Sequence, residues 1–351
     1  MQNISLKTLT DFGTRLLVRL GVPAGDAQYI AEVAVTAEAM GVTTHGLVQL
    51  SALEGQIGKG VDPARQPRIV KDHGAMALID GDGAIGQIAM RMAGQLGAKK
   101  AKQHGVALIG VGSTSWIAAL SVYLIPLARE GFLAQVWCQS SQCQDCAPIG
   151  GIDPRLSTNP IALAFPTGGD PVVADFSTAA VSMGRTSRLA RAGQKAQYPI
   201  FMDDTGKITN DPTVMVDAKG NRKGGSILFW GGESEGHKGY ALSLWCEAMT
   251  ALAGGRTNDP DAPQRQSFCL LVIDPQAFAG LEYFQGQIQH LITWLRTSRV
   301  RPGFDKIRLP GERSQECLRQ AEKHGVPLDE AVLARLNALA AKYEIPGVTV
   351  G

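Results

Sequence analysis

Apolar residues recur at helical spacing at the start of the chain, where Leu6, Leu9, Phe12, Leu16 and Leu20 follow Ser5 and precede Gly21-Val22-Pro23. Ser5 is a natural N-cap and the Gly-Pro pair a natural stop, so this segment predicts a first helix. A second helix is predicted from Asp26, with Ile30, Val33, Ala34 and Ala37 as its stripe and Gly41 as its end. After a Pro- and Gly-rich stretch from Gly58 to Pro67, the pattern gives a strand over Ala75 to Asp80, a helix over Gln87 to His104 and a strand over Val106 to Val111. Further strands are predicted at Phe132 to Cys138, Ile161 to Phe165, Val172 to Phe176 and Phe268 to Ile273. An amphipathic helix is expected over Leu281 to Arg296, and helix again from Glu312 to Tyr343, broken at Gly325-Val326-Pro327.

Two glycine-rich segments sit between these elements. Gly81-Asp82-Gly83-Ala84-Ile85-Gly86 follows a strand and precedes a helix with the spacing of a dinucleotide fingerprint. That fingerprint needs an acidic residue about 20 positions on to hold ribose hydroxyls, and no Asp or Glu occurs between Asp82 and Glu130. These glycines therefore read as turn residues. Gly236-His237-Lys238-Gly239 precedes a long apolar pattern that starts at Tyr240, which predicts a turn at a helix N-terminus. Free backbone N–H groups and the helix dipole welcome an anion there. The plain alternative is a glycine turn with a solvated lysine.

Composition narrows the class without naming a function. With 351 residues, 44% hydrophobic and 6% aromatic, the chain is long enough for a sizeable core. A net charge of +2 gives no reason to expect nucleic acid or an acidic membrane. No apolar run reaches the roughly 18 residues that span a bilayer, and the first residues lack the pattern of a signal peptide, so a cytoplasmic protein is expected. Cys138, Cys143 and Cys146 have the C-x4-C-x2-C spacing of three iron–sulfur ligands. The fourth ligand is missing nearby, so free thiols and no metal are expected, with a thiol or iron–sulfur redox protein as the alternative.

Five local patterns stand in order: Thr44-His45-Gly46, Ser157-Thr158-Asn159-Pro160, Asp175-Phe176-Ser177-Thr178, Gly236-His237-Lys238-Gly239 and Arg308-Leu309-Pro310-Gly311-Glu312-Arg313. Together they resemble the malate/L-lactate dehydrogenase family of the non-Rossmann type, which includes sulfolactate and ureidoglycolate dehydrogenases. Gly236 to Gly239 and Ile117 to Leu120 lean toward its Δ1-piperideine-2-carboxylate and Δ1-pyrroline-2-carboxylate reductases. The resemblance implies an α+β, sulfolactate-dehydrogenase-like fold with a mostly antiparallel central sheet. A helical domain built from residues 1–70 and 306–351 would flank a cofactor and substrate region at 71–305. It also implies a homodimer that reduces a 2-oxo acid or cyclic 2-imino acid, or runs the reverse oxidation, with NADP(H) favoured over NAD(H). The segments matching Asp175, Phe176 and Ser177, His237 and Lys238, and Pro310, Gly311 and Glu312 would contact the cofactor.

Chemistry agrees with part of this. Hydride transfer to a C=O or C=N carbon leaves an atom that must gain a proton, so an acid near it is needed. His45 is the natural candidate, with a helix-capping histidine as the plain reading. Asp175 can orient a ribose or a histidine, and Lys238 can contact phosphate or carboxylate. His45, Asp175 and Lys238 are thus the expected catalytic residues; Thr44, Gln49, Trp116 and Thr158 are expected to meet substrate. Two departures from the family pattern bear on that end: Gln49 stands where relatives commonly have Arg, and Trp116 where they commonly have a histidine. An indole donates but does not titrate. The alternatives are an enzyme with an altered substrate, for which a cyclic imine is suited, and a nucleotide-binding member without catalysis.

Overall fold

The computed structural model describes residues 2–259, 261 and 265–349. In chain order the N-terminal elements are β1 (Gln2–Ile4), α1 (Leu6–Arg19), α2 (Ala24–Ala39) and α3 (Val48–Gln56). Next come β2 (Arg68–His73), β3 (Met76–Asp80), α4 (Gly86–His104), β4 (Val106–Thr114), α5 (Ser121–Arg129) and β5 (Leu133–Ser140). Then follow β6 (Pro160–Phe165), β7 (Val172–Ser177), α6 (Met183–Arg191), β8 (Phe201–Met202), β9 (Ile208–Thr209), β10 (Ser226–Ile227) and α7 (Gly232–Leu252). The chain closes with β11 (Gln266–Ile273), α8 (Leu281–Arg296), α9 (Glu312–His324), β12 (Val326–Leu328) and α10 (Glu330–Lys342).

The fold is mixed α/β. Seven strands form the main sheet in the order β2-β3-β4-β11-β5-β6-β7. Only β3 and β4 run parallel; the other five pairings are antiparallel. Alternation along β5 sends Val136 and Cys138 to one face, where they join α4 and α5, and Trp137 to the other, where it meets Cys246 and Met249 of α7. A separate core joins α1, α2 and α3 to Leu336, Leu339 and Val348 from the end of the chain. A short strand pair, β1 with β12, ties the two ends together. A third, smaller core surrounds Phe201, Met215, Ile227 and Phe229 near the three-stranded sheet β10-β8-β9.

Several boundaries differ from the sequence reading for identifiable reasons. The Gly325-Val326-Pro327 break is also a strand, because β1 supplies a partner that lies more than 300 residues away. The second helix starts at Ala24, after Pro23, so Asp26 lies in its first turn instead of capping it. The largest correction concerns Gly236-His237-Lys238-Gly239. Helix α7 begins four residues earlier, at Gly232 after the left-handed Gly231, so this segment is helix interior and its N–H groups are not the free terminal ones. Gly239 is small because a Cβ there would come within 2.6 Å of Trp230 N. Gly81 and Gly86 likewise press against their own chain: a Cβ would meet Thr114 Cγ2 at 2.4 Å or Ser115 O at 2.4 Å.

Candidate active site

His45 sits in a one-turn 3₁₀ helix, Thr43–His45, between α2 and α3. The turn is drawn tightly onto α2. Buried Glu38 accepts the Leu47 N–H at 2.8 Å, and a Cβ on Gly46 would fall 2.2 Å from Glu38 Oε2. Burial raises the Glu38 carboxyl above its usual range; the Leu47 bond opposes this, and the Asp329 charge adds a little to the rise. At the imidazole, Nδ1 lies 2.8 Å from Thr44 Oγ1, and Gln49 Nε2 donates to Thr44 O at 3.3 Å. His45 therefore belongs to a braced turn, not to a cap on α2, whose last carbonyls are met by the Met40 and Gly41 N–H groups.

Asp175 approaches from β7. Its carboxylate accepts the Ser121 N–H at 2.9 Å, so it caps the N-terminus of α5, a helix 54 residues earlier in sequence. Asp175 is exposed through the open cavity it lines, although protein packs closely around the carboxylate itself. Burial is the main influence and raises its carboxyl above the usual range, while the Ser121 N–H and the nearby His45 pull the other way. His45 shows the mirror effect: burial lowers its imidazole and the Asp175 charge raises it. Each group thus leans toward its neutral form, and each would stabilise the other's charge.

Two cavities meet at His45, and Asp175 lines the second of them. The first, about 890 Å³, takes in Gln49, Trp116, Cys138, Cys143, Asp145, Arg155, Arg222 and Lys223. The second, about 620 Å³, takes in Asp175, Phe176, Ser177, Arg185, Pro310, Gly311, Ser314 and Gln315. Thr44, His45, Ala118, Leu120 and Thr158 belong to both walls. Each volume is within the range of small-molecule sites. Pro310 O accepts the Val173 N–H at 3.2 Å, and a Cβ on Gly311 would meet Val173 O at 2.7 Å. That contact brings the start of α9 beside the strand that carries Asp175.

Three expected site residues lie outside both cavities. Lys238 is exposed on α7 and pairs with Glu235 at 2.5 Å, and His237 is exposed beside it. Glu312 accepts the Leu309 N–H at 2.9 Å and faces Lys306 and Arg296, so it braces the turn into α9. In Ser157-Thr158-Asn159-Pro160 it is Thr158 that reaches the cavities. Asn159, left-handed and fully buried, donates to Ser243 Oγ at 2.9 Å and Glu247 Oε1 at 2.8 Å, tying β6 to α7.

Asp145, Arg222 and Gln315 also line the cavities and carried no sequence signal. Asp145 is 3% exposed and pairs with Arg222 at 2.5 Å. Burial raises its carboxyl above the usual range and Arg222 opposes that shift. Seventy-seven residues separate the two, so no local spacing marks the pair. Gln315 is 2% exposed and donates to Pro171 O at 2.9 Å. The clustered cysteines are free; burial pushes the Cys138 and Cys143 thiols up to about 12 and raises the Cys146 thiol well above its ordinary value. Neutral thiols are poor metal ligands and nucleophiles, and no group of three or more His, Cys, Asp or Glu suited to a metal occurs among the described residues. No helix among them is long and apolar enough to cross a membrane.

Comparison with known proteins bears on this arrangement. The family model for malate/L-lactate dehydrogenase matches residues 4–337. The chain is 31% identical to a malate dehydrogenase of Pyrococcus horikoshii over 97% of its own length and 95% of that protein. It is 30% identical to a Δ1-pyrroline-2-carboxylate/Δ1-piperideine-2-carboxylate reductase of Pseudomonas syringae pv. tomato over 97% of its length and 96% of that protein. The solved Pyrococcus horikoshii malate dehydrogenase superposes with a TM-score of 0.86 at 30% identity, covering 98% of this chain and 96% of that one.

Proposed function

Because this chain belongs to the malate/L-lactate dehydrogenase family, we propose that it is an oxidoreductase using a nicotinamide dinucleotide to reduce a 2-oxo acid or a cyclic 2-imino acid, or to oxidise the corresponding product. The observation that carries this reading is the His45 and Asp175 pair at the junction of two cavities. Reduction of a C=O or C=N bond needs one group that handles a proton and room on either side for two reactants.

The second cavity suits the dinucleotide. Its wall combines the carboxylate of Asp175, the hydroxyls of Ser177 and Ser314, the guanidinium of Arg185 and the start of α9, a mixture that matches ribose hydroxyls and phosphate. Arg185 favours NADP(H) over NAD(H). When bound, the dinucleotide would supply or accept the hydride. His45 holds the proton: burial makes its cationic form a stronger acid, Asp175 moderates that, and among the described residues its Nε2 has no protein hydrogen bond. Asp175 positions His45 while remaining fixed to the end of α5.

The first cavity receives the substrate. Around His45 its wall is formed by Thr44, Gln49, Trp116 and Ile117, without a cation; positive charge is confined to Arg155, Arg222 and Lys223. A flat ring against the Trp116 indole and a neutral amide at Gln49 suit a cyclic imine, which arrives protonated and already activated for hydride attack. Lys238 and His237, outside both cavities, take no part in proton transfer in this reading. A homodimer fits the surface of α8, where Tyr283, Leu291, Trp294 and Leu295 are exposed and only Ile292 is buried.

The test is to titrate purified protein with NADPH and NADH and then screen open-chain 2-oxo acids and cyclic 2-imino acids at the nicotinamide absorbance band. Turnover of cyclic imines above 2-oxo acids is expected. Binding without turnover of either class would support the non-catalytic alternative, and absence of binding to both nucleotides would overturn the proposal.

A further inference from the structure

Gln315 lies in the first turn of α9, in the wall of the second cavity, and is only 2% exposed. Its Nε2 donates to Pro171 O at 2.9 Å and to Gly311 O at 3.4 Å. Both partners are carbonyls, which accept and never donate, so the amide has one sensible orientation, with nitrogen toward them. The other atom, Oε1, is thereby turned away from those carbonyls. It is buried and has no hydrogen-bond partner among the described residues. A buried amide oxygen left without a donor is costly, and such a site is completed when a donor arrives.

The cavity itself narrows what that donor is. Its remaining polar side chains are the Asp175 carboxylate, Arg185, His45, Thr44, Thr158 and four serines. Asp175 already accepts from Ser121 and Ser177 Oγ already donates to Ala179 O at 2.8 Å. Among the described residues that line this cavity, Gln315 Oε1 is the fully buried side-chain acceptor without a partner. An anion would be repelled by a carbonyl oxygen, so this point of the wall calls for an uncharged N–H or O–H.

Resting on the dinucleotide reading above, we propose that Gln315 Oε1 accepts a hydrogen bond from a neutral donor of the bound nicotinamide dinucleotide, either a carboxamide N–H or a ribose O–H. Gln315 is then a recognition residue for the cofactor, and its nitrogen side braces the start of α9 against the loop that leads into β7. The two sides of the amide do different work and can be separated by substitution.

The experiment measures dinucleotide binding to the full chain by isothermal titration, with no turnover required. Gln315→Leu removes acceptor and donor together; Gln315→Glu keeps an acceptor oxygen at the same reach. Gln315→Leu is expected to weaken NADPH binding about tenfold, and Gln315→Glu to stay within about threefold of wild type. Thermal denaturation of the ligand-free proteins reports the bracing role, which both substitutions disturb. The reduced 3-acetylpyridine analogue, which lacks the carboxamide N–H, identifies the donor. If wild type binds it about tenfold more weakly than NADPH and Gln315→Leu no longer discriminates, the carboxamide is the donor. If wild type binds both alike and Gln315→Leu loses the same factor on each, the donor is a ribose hydroxyl. Wild-type affinity in Gln315→Leu, or equal losses in the two variants, overturns the proposal and leaves the dinucleotide reading intact. A wild-type protein that binds neither NADPH nor NADH removes both.

Discussion

Two histidine-bearing segments of this chain invite opposite conclusions depending on where one starts. Gly236 to Gly239 is conspicuous in the sequence, with two glycines, a histidine and a lysine ahead of an apolar run, yet it is the second turn of α7, with its glycines packed inward and its histidine and lysine exposed. Thr44 to Gly46 is a short stretch in an ordinary connection, yet its histidine joins Asp175 where two cavities meet. A basic residue acquires unusual chemistry from what surrounds it, and an exposed helix face surrounds it mainly with water.

The most direct way to break this contrast is to exchange the fates of the two histidines. His45→Ala is expected to lower kcat by about 10²-fold or more while the protein stays folded. His237→Ala should leave kcat within about twofold under the same assay. The reverse order of losses would place the chemistry on α7. Next in size comes Asp175→Asn, which still accepts the Ser121 N–H but loses the charge beside His45. A roughly tenfold drop in kcat is expected, together with a shift of the pH–rate profile to lower pH, as removal of a carboxylate makes the imidazolium more acidic. An unmoved profile would show that the two groups do not communicate.

Gly46→Ala probes the brace beneath His45 rather than the ring. The added methyl meets Glu38 at less than van der Waals distance, so unfolding stability should fall by about 1–3 kcal/mol in a urea titration. A smaller pH effect distinguishes the same histidine by linkage. Burial lowers the folded-state His45 below its ordinary 6.5, so below that pH the unfolded chain binds the extra proton and stability falls as pH drops toward the folded value. Asp175 works in the opposite sense: its raised folded-state value means stability from that group declines as pH rises from the ordinary carboxylate range through the folded value. His45→Gln should therefore flatten the loss of Tm on acidification below about pH 6.5. The smallest effect belongs to Lys238→Ala, an exposed pair with Glu235, expected to change stability by at most a few tenths of a kcal/mol and kcat hardly at all.

Much of the scaffold is readable from periodicity, because the positions that carry it are apolar. Leu9, Phe12 and Leu16 are fully buried, as their spacing predicts, and Val136, Leu270 and Val272 alternate into the sheet core. The misses share a cause. Helix α5, Ser121–Arg129, is buried on most sides and contains Pro126, so it shows neither a polar face nor an uninterrupted pattern. Strand β2 is exposed along all six residues, an edge strand paired with β3 and tied to α4 by Asp72 and Lys100. At the site, His45, Asp175, Thr158 and Pro310 were nameable because each lies in a short ordered pattern. The resemblance grouped Asp175 and Pro310 with Lys238, and which of them meet was not readable from spacing, since it depends on contacts such as Asp175 with Ser121 and Gln315 with Pro171, whose partners lie 54 and 144 residues apart. Burial decides which polar residues matter, and burial is a property of the assembled chain.

The carboxylate of Asp175 has a practical bearing on how this protein can be altered. Because the same oxygens face the cavity and hold the first turn of α5, a library randomised at position 175 will lose soluble protein and turnover together, and survivors will report folding more than selectivity. Gln49 and Trp116 face the other cavity from a helix side and a loop, and no carboxylate or helix end hangs on either. Diversity aimed at new substrates belongs there, with position 175 left constant because it holds the start of α5 as well as lining the second cavity.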